Sequence, residues 1–255
     1  MIDVVIQNRI ATITLNRPEK RNALNNEMAA RLLEIFQSLD TNNDCKVIVI
    51  KANGEAFCSG ADLEYLQQLQ SNTLADNLTD STQLMNMFST LYHLSKITIA
   101  QVEGPAIAGG CGLAGLCDFC YATPEATFGY TEVKIGFIPA IVSVFLTRRI
   151  GENAARQLLL TGDIIDAQRA FDIQLITKMV NKAEISDVVA RFADKLIKTV
   201  SGESIAQTKA LLAAFPGLSI KEQLNLAAKA NAEARGTNDC KKGISSFLNK
   251  EKIVW

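Results

Sequence analysis

Histidine is almost missing from this chain: His93 is the only one among 255 residues. A multi-histidine metal site is therefore excluded, and a Ser-His-Asp or Cys-His mechanism would rest on one side chain. His93 sits in Phe88-Ser89-Thr90-Leu91-Tyr92-His93-Leu94, a helix-like stretch without ligand spacing, so a packing or solvent-edge role is expected. A basic excess is also missing. Lys+Arg number 26 against 27 Asp+Glu, a net charge of −1, which argues against nucleic acid as the partner. No apolar run reaches the roughly 18 residues that a membrane span needs. Met1-Ile2-Asp3-Val4-Val5 lacks the basic-then-apolar pattern of a secretory signal, and the expected address is the cytoplasm. Tandem repeats and Gly/Ser linkers are absent as well. The six cysteines include Cys117-x-x-Cys120, but no second pair or histidine accompanies it. A zinc site would want four ligands and a redox motif a thioredoxin-like setting, so reduced, buried cysteines are expected.

What is present is an ordinary globular composition, 48% hydrophobic and 21% charged. Val4-Val5-Ile6 and Ala11-Thr12-Ile13-Thr14-Leu15 flank a short polar turn and predict a hairpin. Asn25 is placed to cap a helix carrying Met28, Leu32, Ile35, Phe36 and Leu39 on one face. Val47-Ile48-Val49-Ile50 is a continuous apolar run, the pattern of a strand buried on both sides, and Ile97–Val102 and Phe119–Ala122 read similarly. From about Arg148 onward the periodicity is helical almost throughout, over 154–160, 188–197, 204–214 and 220–234. The expectation is an α/β body followed by a helical C-terminal region.

Three segments concentrate chemical potential. In Ala56-Phe57-Cys58-Ser59-Gly60-Ala61-Asp62-Leu63, small residues follow a strand and precede a helix. Such a turn either lets a ligand reach backbone N–H groups near a positive helix end or is merely tight. In Val102-Glu103-Gly104-Pro105-Ala106-Ile107-Ala108-Gly109-Gly110-Cys111-Gly112-Leu113-Ala114 the glycines match neither G-x-G-x-x-G nor a P-loop. They offer bare backbone at the opening of an apolar helix, where the Gly109 N–H could face an anionic oxygen. Two such donors converging would form an oxyanion hole. In Phe128-Gly129-Tyr130-Thr131-Glu132-Val133-Lys134-Ile135-Gly136-Phe137-Ile138-Pro139-Ala140, Glu132 lies among apolar and small residues. Burial would raise its pKa and suit it to proton transfer; pairing with Lys134 is the competing reading.

Together, in this order and spacing, the three resemble the enoyl-CoA hydratase/isomerase (crotonase) superfamily. Ile13-Thr14-Leu15-Asn16-Arg17-Pro18, Asn22-Ala23-Leu24, Cys117-Asp118 and Leu160-Thr161-Gly162-Asp163 extend the resemblance over nearly the whole chain. It implies a crotonase-like α/β spiral of strand-strand-helix repeats, expected over 1–195. A helical region over 196–255 would pack neighbouring copies into a homotrimer or a dimer of trimers. It also implies a coenzyme A thioester substrate, coenzyme A being part of the substrate and no separate cofactor or metal being required. By motif match, Ala61 and Gly109 would hold the thioester oxygen as an enolate forms. Arg21, Ala23, Asp62, Leu63 and Gly112 would contribute to binding the thioester, Lys20 and Arg21 would face coenzyme phosphates, and Glu132 would be catalytic. Asp118 reads as structural.

The resemblance has one departure. Hydratases of this superfamily usually carry two glutamates, and the first position is here Gly112. One carboxylate suffices to shuttle a proton between carbons, which favours a 3-enoyl-CoA isomerase. The segment from Gly109 to Leu113, with Thr131–Ser143 and Ile150-Gly151-Glu152, instead resembles bacterial methylglutaconyl-CoA hydratases, with the same glycine and the same Ile-Pro-Ala. The expectation is a 2-enoyl-CoA hydratase acting on a branched, methylglutaconyl-like chain, with Arg148, Arg149 or Lys96 as candidate partners for its distal carboxylate. A 3-enoyl-CoA isomerase and a non-catalytic acyl-CoA-binding protein are the alternatives.

Overall fold

The computed structural model describes residues 1–255. The chain opens with β1 (Ile2–Gln7) and β2 (Ile10–Leu15), paired antiparallel with Gln7 opposite Ile10. The hairpin closes through Asn8 and Arg9, both at positive φ (51° and 64°), the twist a two-residue turn requires. Helix α1 (Asn26–Thr41) follows, with the Asn25 side chain accepting from the Met28 N–H. Then come β3 (Val47–Ala52), α2 (Leu63–Leu69), α3 (Leu74–His93), β4 (Ile97–Val102), β5 (Ala106–Ile107), α4 (Gly109–Leu116), β6 (Phe119–Ala122) and β7 (Thr127–Gly129). A 3-10 turn over Glu132–Ile135 leads into α5 (Ala140–Thr161), which breaks at Gly151. The remainder is β8 (Ile164–Asp166), α6 (Ala167–Asp172), β9 (Lys178–Met179), α7 (Ile185–Thr199), α8 (Gly202–Ala214), α9 (Ile220–Ala234) and α10 (Asn238–Leu248).

Six strands form one mixed sheet in the order β1-β2-β3-β4-β6-β9, parallel except for the hairpin; β5-β7-β8 form a second, also mixed. The period of two along β3 explains the layering. Ile48 and Ile50 face the side occupied by Met28, Leu32 and Phe36 of α1 and Met87 and Phe88 of α3. Val47 and Val49 face the other side, with Ile97 and Ile99 of β4 and Ile185, Val189, Ala193 and Ile197 of α7. The expected α/β body with a helical C-terminal region is therefore what the chain forms. The expected boundary at 195/196 falls inside α7, which continues to Thr199.

Cys45, Cys58, Cys111, Cys117 and Cys120 are buried free thiols, Cys240 is partly exposed, and burial pushes Cys58, Cys111 and Cys117 up to about 12. Thiols held this firmly protonated behave as small apolar fillers. His93 is exposed at the end of α3, its Nδ1 2.8 Å from the Ser89 carbonyl oxygen. No helix is long and apolar enough to cross a membrane.

Candidate active site

The turn before α2 and the turn before α4 are stitched together by the main chain. Cys58 N–H donates to the Pro105 carbonyl at 3.1 Å, and Ile107 N–H donates back to the Cys58 carbonyl at 2.9 Å. Leu24 is bonded across to the first turn in the same way: its N–H donates to Gly60 O at 2.7 Å, and Asp62 N–H donates to Leu24 O at 2.8 Å. Ala61 lies between these two bonds, and its own N–H donates to no backbone carbonyl. Gly109 begins α4, so its N–H is one of those a helix cannot satisfy internally. Ala108, just before it, is held at φ 51°, ψ −121° while its N–H donates to Gly129 O at 2.7 Å. An alanine in that region stores backbone strain, which fixes where α4 starts. Glycine is obligatory at 110: a Cβ there would lie 2.3 Å from the Cys58 carbonyl oxygen. That close approach brings the two turns, and so Ala61 and Gly109, to one place.

Both residues line a cavity of about 440 Å³. Its walls come from Leu24 to Ala29, from α2 (Leu63, Tyr65, Leu66, Leu69), from α3 (Asp80, Leu84, Phe88) and from Thr131 to Val142. Most of the lining is apolar, and none of its 25 residues is Lys, Arg or His. Glu132 enters it from the 3-10 turn. Burial raises the Glu132 carboxyl above the ordinary range, and its Oε2 is buried without a hydrogen-bond partner. The alternative pairing with Lys134 is not formed: Lys134 Nζ points to Asp163 Oδ1, 3.8 Å away. A desolvated carboxylate sharing a cavity with two unclaimed N–H groups has the parts to move a proton next to a carbonyl whose oxygen becomes negative.

Other residues read from the sequence sit elsewhere. Leu63 lines the cavity, whereas Arg21, Ala23, Asp62 and Gly112 do not. Asp62 is buried, accepts the Glu64 N–H at the start of α2, and pairs with Arg17 at 2.6 Å. Arg21 is exposed and its carbonyl receives the Ser59 N–H; Ala23 is buried. Lys20 Nζ is bonded to Glu64 at 2.6 Å on the surface. Gly112 lies one turn into α4, where a Cβ would meet Val142 Cγ1 at 2.5 Å and Phe88 at 3.4 Å. Val142 thus occupies the space a side chain at 112 would need. The three candidate cations are not in the cavity. Arg149 donates to the Cys117 carbonyl at 2.8 Å and borders a separate hollow with Phe171; Arg148 bonds Val144 O at 2.9 Å; Lys96 borders a third hollow near Trp255. Asp118 accepts from the Thr98 N–H and from Lys209 Nζ at 2.5 Å, a tie between β4 and α8.

Sequence reasoning missed Asn22, fully buried, whose side-chain amide donates to Asn53 O and Ala56 O at 2.8 Å each and anchors the first turn. It also missed Tyr65 and Asp80. The signal for Asp80 was present: Asp80, Leu84 and Phe88 recur every fourth residue, so a carboxylate shares an apolar stripe of α3.

The fold and site define an α/β protein with two unclaimed backbone donors and one half-buried carboxylate on a single apolar cavity. Residues 5–255 match the family model described as enoyl-CoA hydratase/isomerase, and the chain belongs to that family. A Thermus thermophilus protein provisionally named an enoyl-CoA hydratase is 40% identical, covering 96% of this chain and 97% of the relative. The crotonyl-CoA hydratase of Syntrophomonas wolfei is 32% identical over 96% of this chain and 94% of its own. The crystal structure of an enoyl-CoA hydratase from Shewanella pealeana superposes with a TM-score of 0.94 at 29% identity, covering all of this chain and 95% of that one.

Proposed function

We propose that the protein hydrates a 2-enoyl-CoA to the 3-hydroxyacyl-CoA, with Ala61 and Gly109 as the oxyanion hole and Glu132 as the catalytic carboxylate. The observation carrying this is the convergence, on one apolar cavity, of two unclaimed N–H groups and one unpartnered carboxylate oxygen. Glu132 takes a proton from water as the water oxygen bonds to the β-carbon. The π electrons move onto the thioester oxygen, where the two N–H groups hold the enolate. As the enolate collapses, the α-carbon takes the proton back from Glu132, and no other group need change charge. Incubation with crotonyl-CoA followed by mass spectrometry should show the gain of one water, lost in Glu132→Gln. Binding of acyl-CoA without any such gain would refute the reading.

Gly112 favours a second reading, isomerisation of a 3-enoyl-CoA by Glu132 alone. Double-bond migration at constant mass, with no hydration of crotonyl-CoA, would establish it. A methylglutaconyl-like chain is the finer form of the first reading. The lack of any cation in the cavity weighs against it, since a desolvated distal carboxylate wants a positive partner. A protein that binds acyl-CoA and turns over none of these chains would be the non-catalytic alternative.

Assembly as a homotrimer or dimer of trimers through 196–255 is part of the same proposal. Helices α8, α9 and α10 bury no residue within the chain, yet carry Leu212, Ile220, Leu224, Ile244, Phe247 and Leu248 exposed. So much uncovered apolar surface is the mark of an interface.

A further inference from the structure

The cavity contains a second carboxylate that the hydration chemistry does not use. Asp80 projects from α3, and the Tyr65 hydroxyl of α2 donates to its Oδ2. Its Oδ1 is buried and has no partner. Both Tyr65 and Asp80 line the cavity, with Leu66, Leu69 and Leu84 around them. Position along α3 separates Asp80 from the reacting end. Phe88 lies beside Gly109, its ring 3.8 Å from where a Gly109 Cβ would stand. Eight residues at about 1.5 Å each put Asp80 about 12 Å back along the helix axis. That distance is too long for a short side chain to reach the thioester carbons, and suits contact with the outer part of an acyl chain.

Resting on the family's acyl-CoA substrate and on the hydration reading, we propose that Asp80, fixed by Tyr65, is a specificity-determining residue that turns away acyl chains ending in a carboxylate. Uncharged chains are the class this cavity takes. A substrate carboxylate near Asp80 would meet like charge in a half-desolvated space with no Lys or Arg to offset it, and discrimination by repulsion is effective in that setting.

The test is a matched series of 2-enoyl-CoAs of six, eight and ten carbons, each ending in methyl or in carboxylate. The readout is the ratio of kcat/KM for the carboxylate-ended chain to that for the methyl-ended chain of equal length. Taken within one enzyme, that ratio cancels effects on folding and on coenzyme binding. In the wild type the ratio should be well below one and lowest for the length that reaches Asp80. Asp80→Asn should raise it about tenfold or more, Asp80→Ser should do the same, and Tyr65→Phe, which keeps the charge, should leave it low. A ratio near one in the wild type, or one that neither Asp80 variant changes, overturns the proposal. Calorimetric binding of the saturated acyl-CoA pairs supplies the same comparison without turnover. Discrimination in binding that Asp80→Asn removes, with no hydration of any chain, would uphold the role of Asp80 and overturn the hydration reading.

Discussion

Replacing Gly112 by alanine adds one methyl group to the interior, against Val142 and Phe88. The added Cβ would lie 2.5 Å from Val142 Cγ1, well inside van der Waals contact, and 3.4 Å from the Phe88 ring, both neighbours being buried. Overpacking of this kind costs about 1–3 kcal/mol. Removing a glycine from a helix returns about 0.5–1 kcal/mol, so the net loss should be about 0–2.5 kcal/mol. Val142→Ala alone empties two methyl volumes and should cost about 2 kcal/mol. If Val142 fills the space vacated at 112, the double variant must cost less than the sum, with a coupling of about 1 kcal/mol or more. Urea unfolding at fixed protein concentration measures all three. At this chain length each kcal/mol should also move Tm by about 2–4 °C. Strictly additive losses would refute the reasoning, because the two positions would then not compete for one volume. The same logic says that Gly112→Glu should fold poorly alone and better with Val142→Ala.

Glu132→Gln should lower hydration by about 10²–10⁴-fold. Its acid limb should also vanish: burial raises the Glu132 carboxyl, so wild-type kcat/KM should fall as pH drops through a value above the ordinary carboxylate range. Stability should run the other way. The folded state holds this proton more tightly than the unfolded one, so wild-type stability declines as pH rises from the ordinary carboxylate value through the raised one. The Tm of Glu132→Gln should therefore exceed wild type at pH 7, with the gap closing toward pH 4; a gap independent of pH would argue against the burial. Asp62→Ala removes the cap of α2 and leaves Arg17 unpaired. It should cost about 2–4 kcal/mol by denaturant unfolding, and it should also weaken the N–H placement at Ala61 next door, read as a loss in kcat. Light scattering at micromolar concentration should find a trimer or hexamer, and a charge at Leu224 or Phe247 on the exposed helices should shift it toward monomer; a monomeric wild type would contradict the assembly.

The parts of the fold that were legible in the sequence are those set by short-range chemistry. Asn25 announces α1 because a side-chain acceptor is needed at that end, and the Val47–Ile50 run announces a strand covered on both faces. Small residues at two turns and a carboxylate among apolar neighbours pointed to the segments whose Ala61, Gly109 and Glu132 line one cavity; the roles proposed for them come from the family resemblance. What remained hidden depends on which segments meet. The family resemblance implied that Asp62 and Gly112 contact the thioester substrate, yet neither lines the cavity. Asp62 turns instead to Arg17, 45 residues earlier, and Gly112 is sealed by Val142, 30 residues later; neither separation leaves a local trace. Arg148 and Arg149 were candidates by charge alone, and α5 directs them to its own carbonyl and to the end of α4. Asp80 is the reverse case. Its place on an apolar helical stripe was visible, but only the packing of α2 and α3 around the same space shows that the outer part of the stripe lines the cavity while Phe88 also joins the core. A carboxylate with one oxygen buried and unpartnered needs a reason, and the exclusion of substrates that share its charge supplies one.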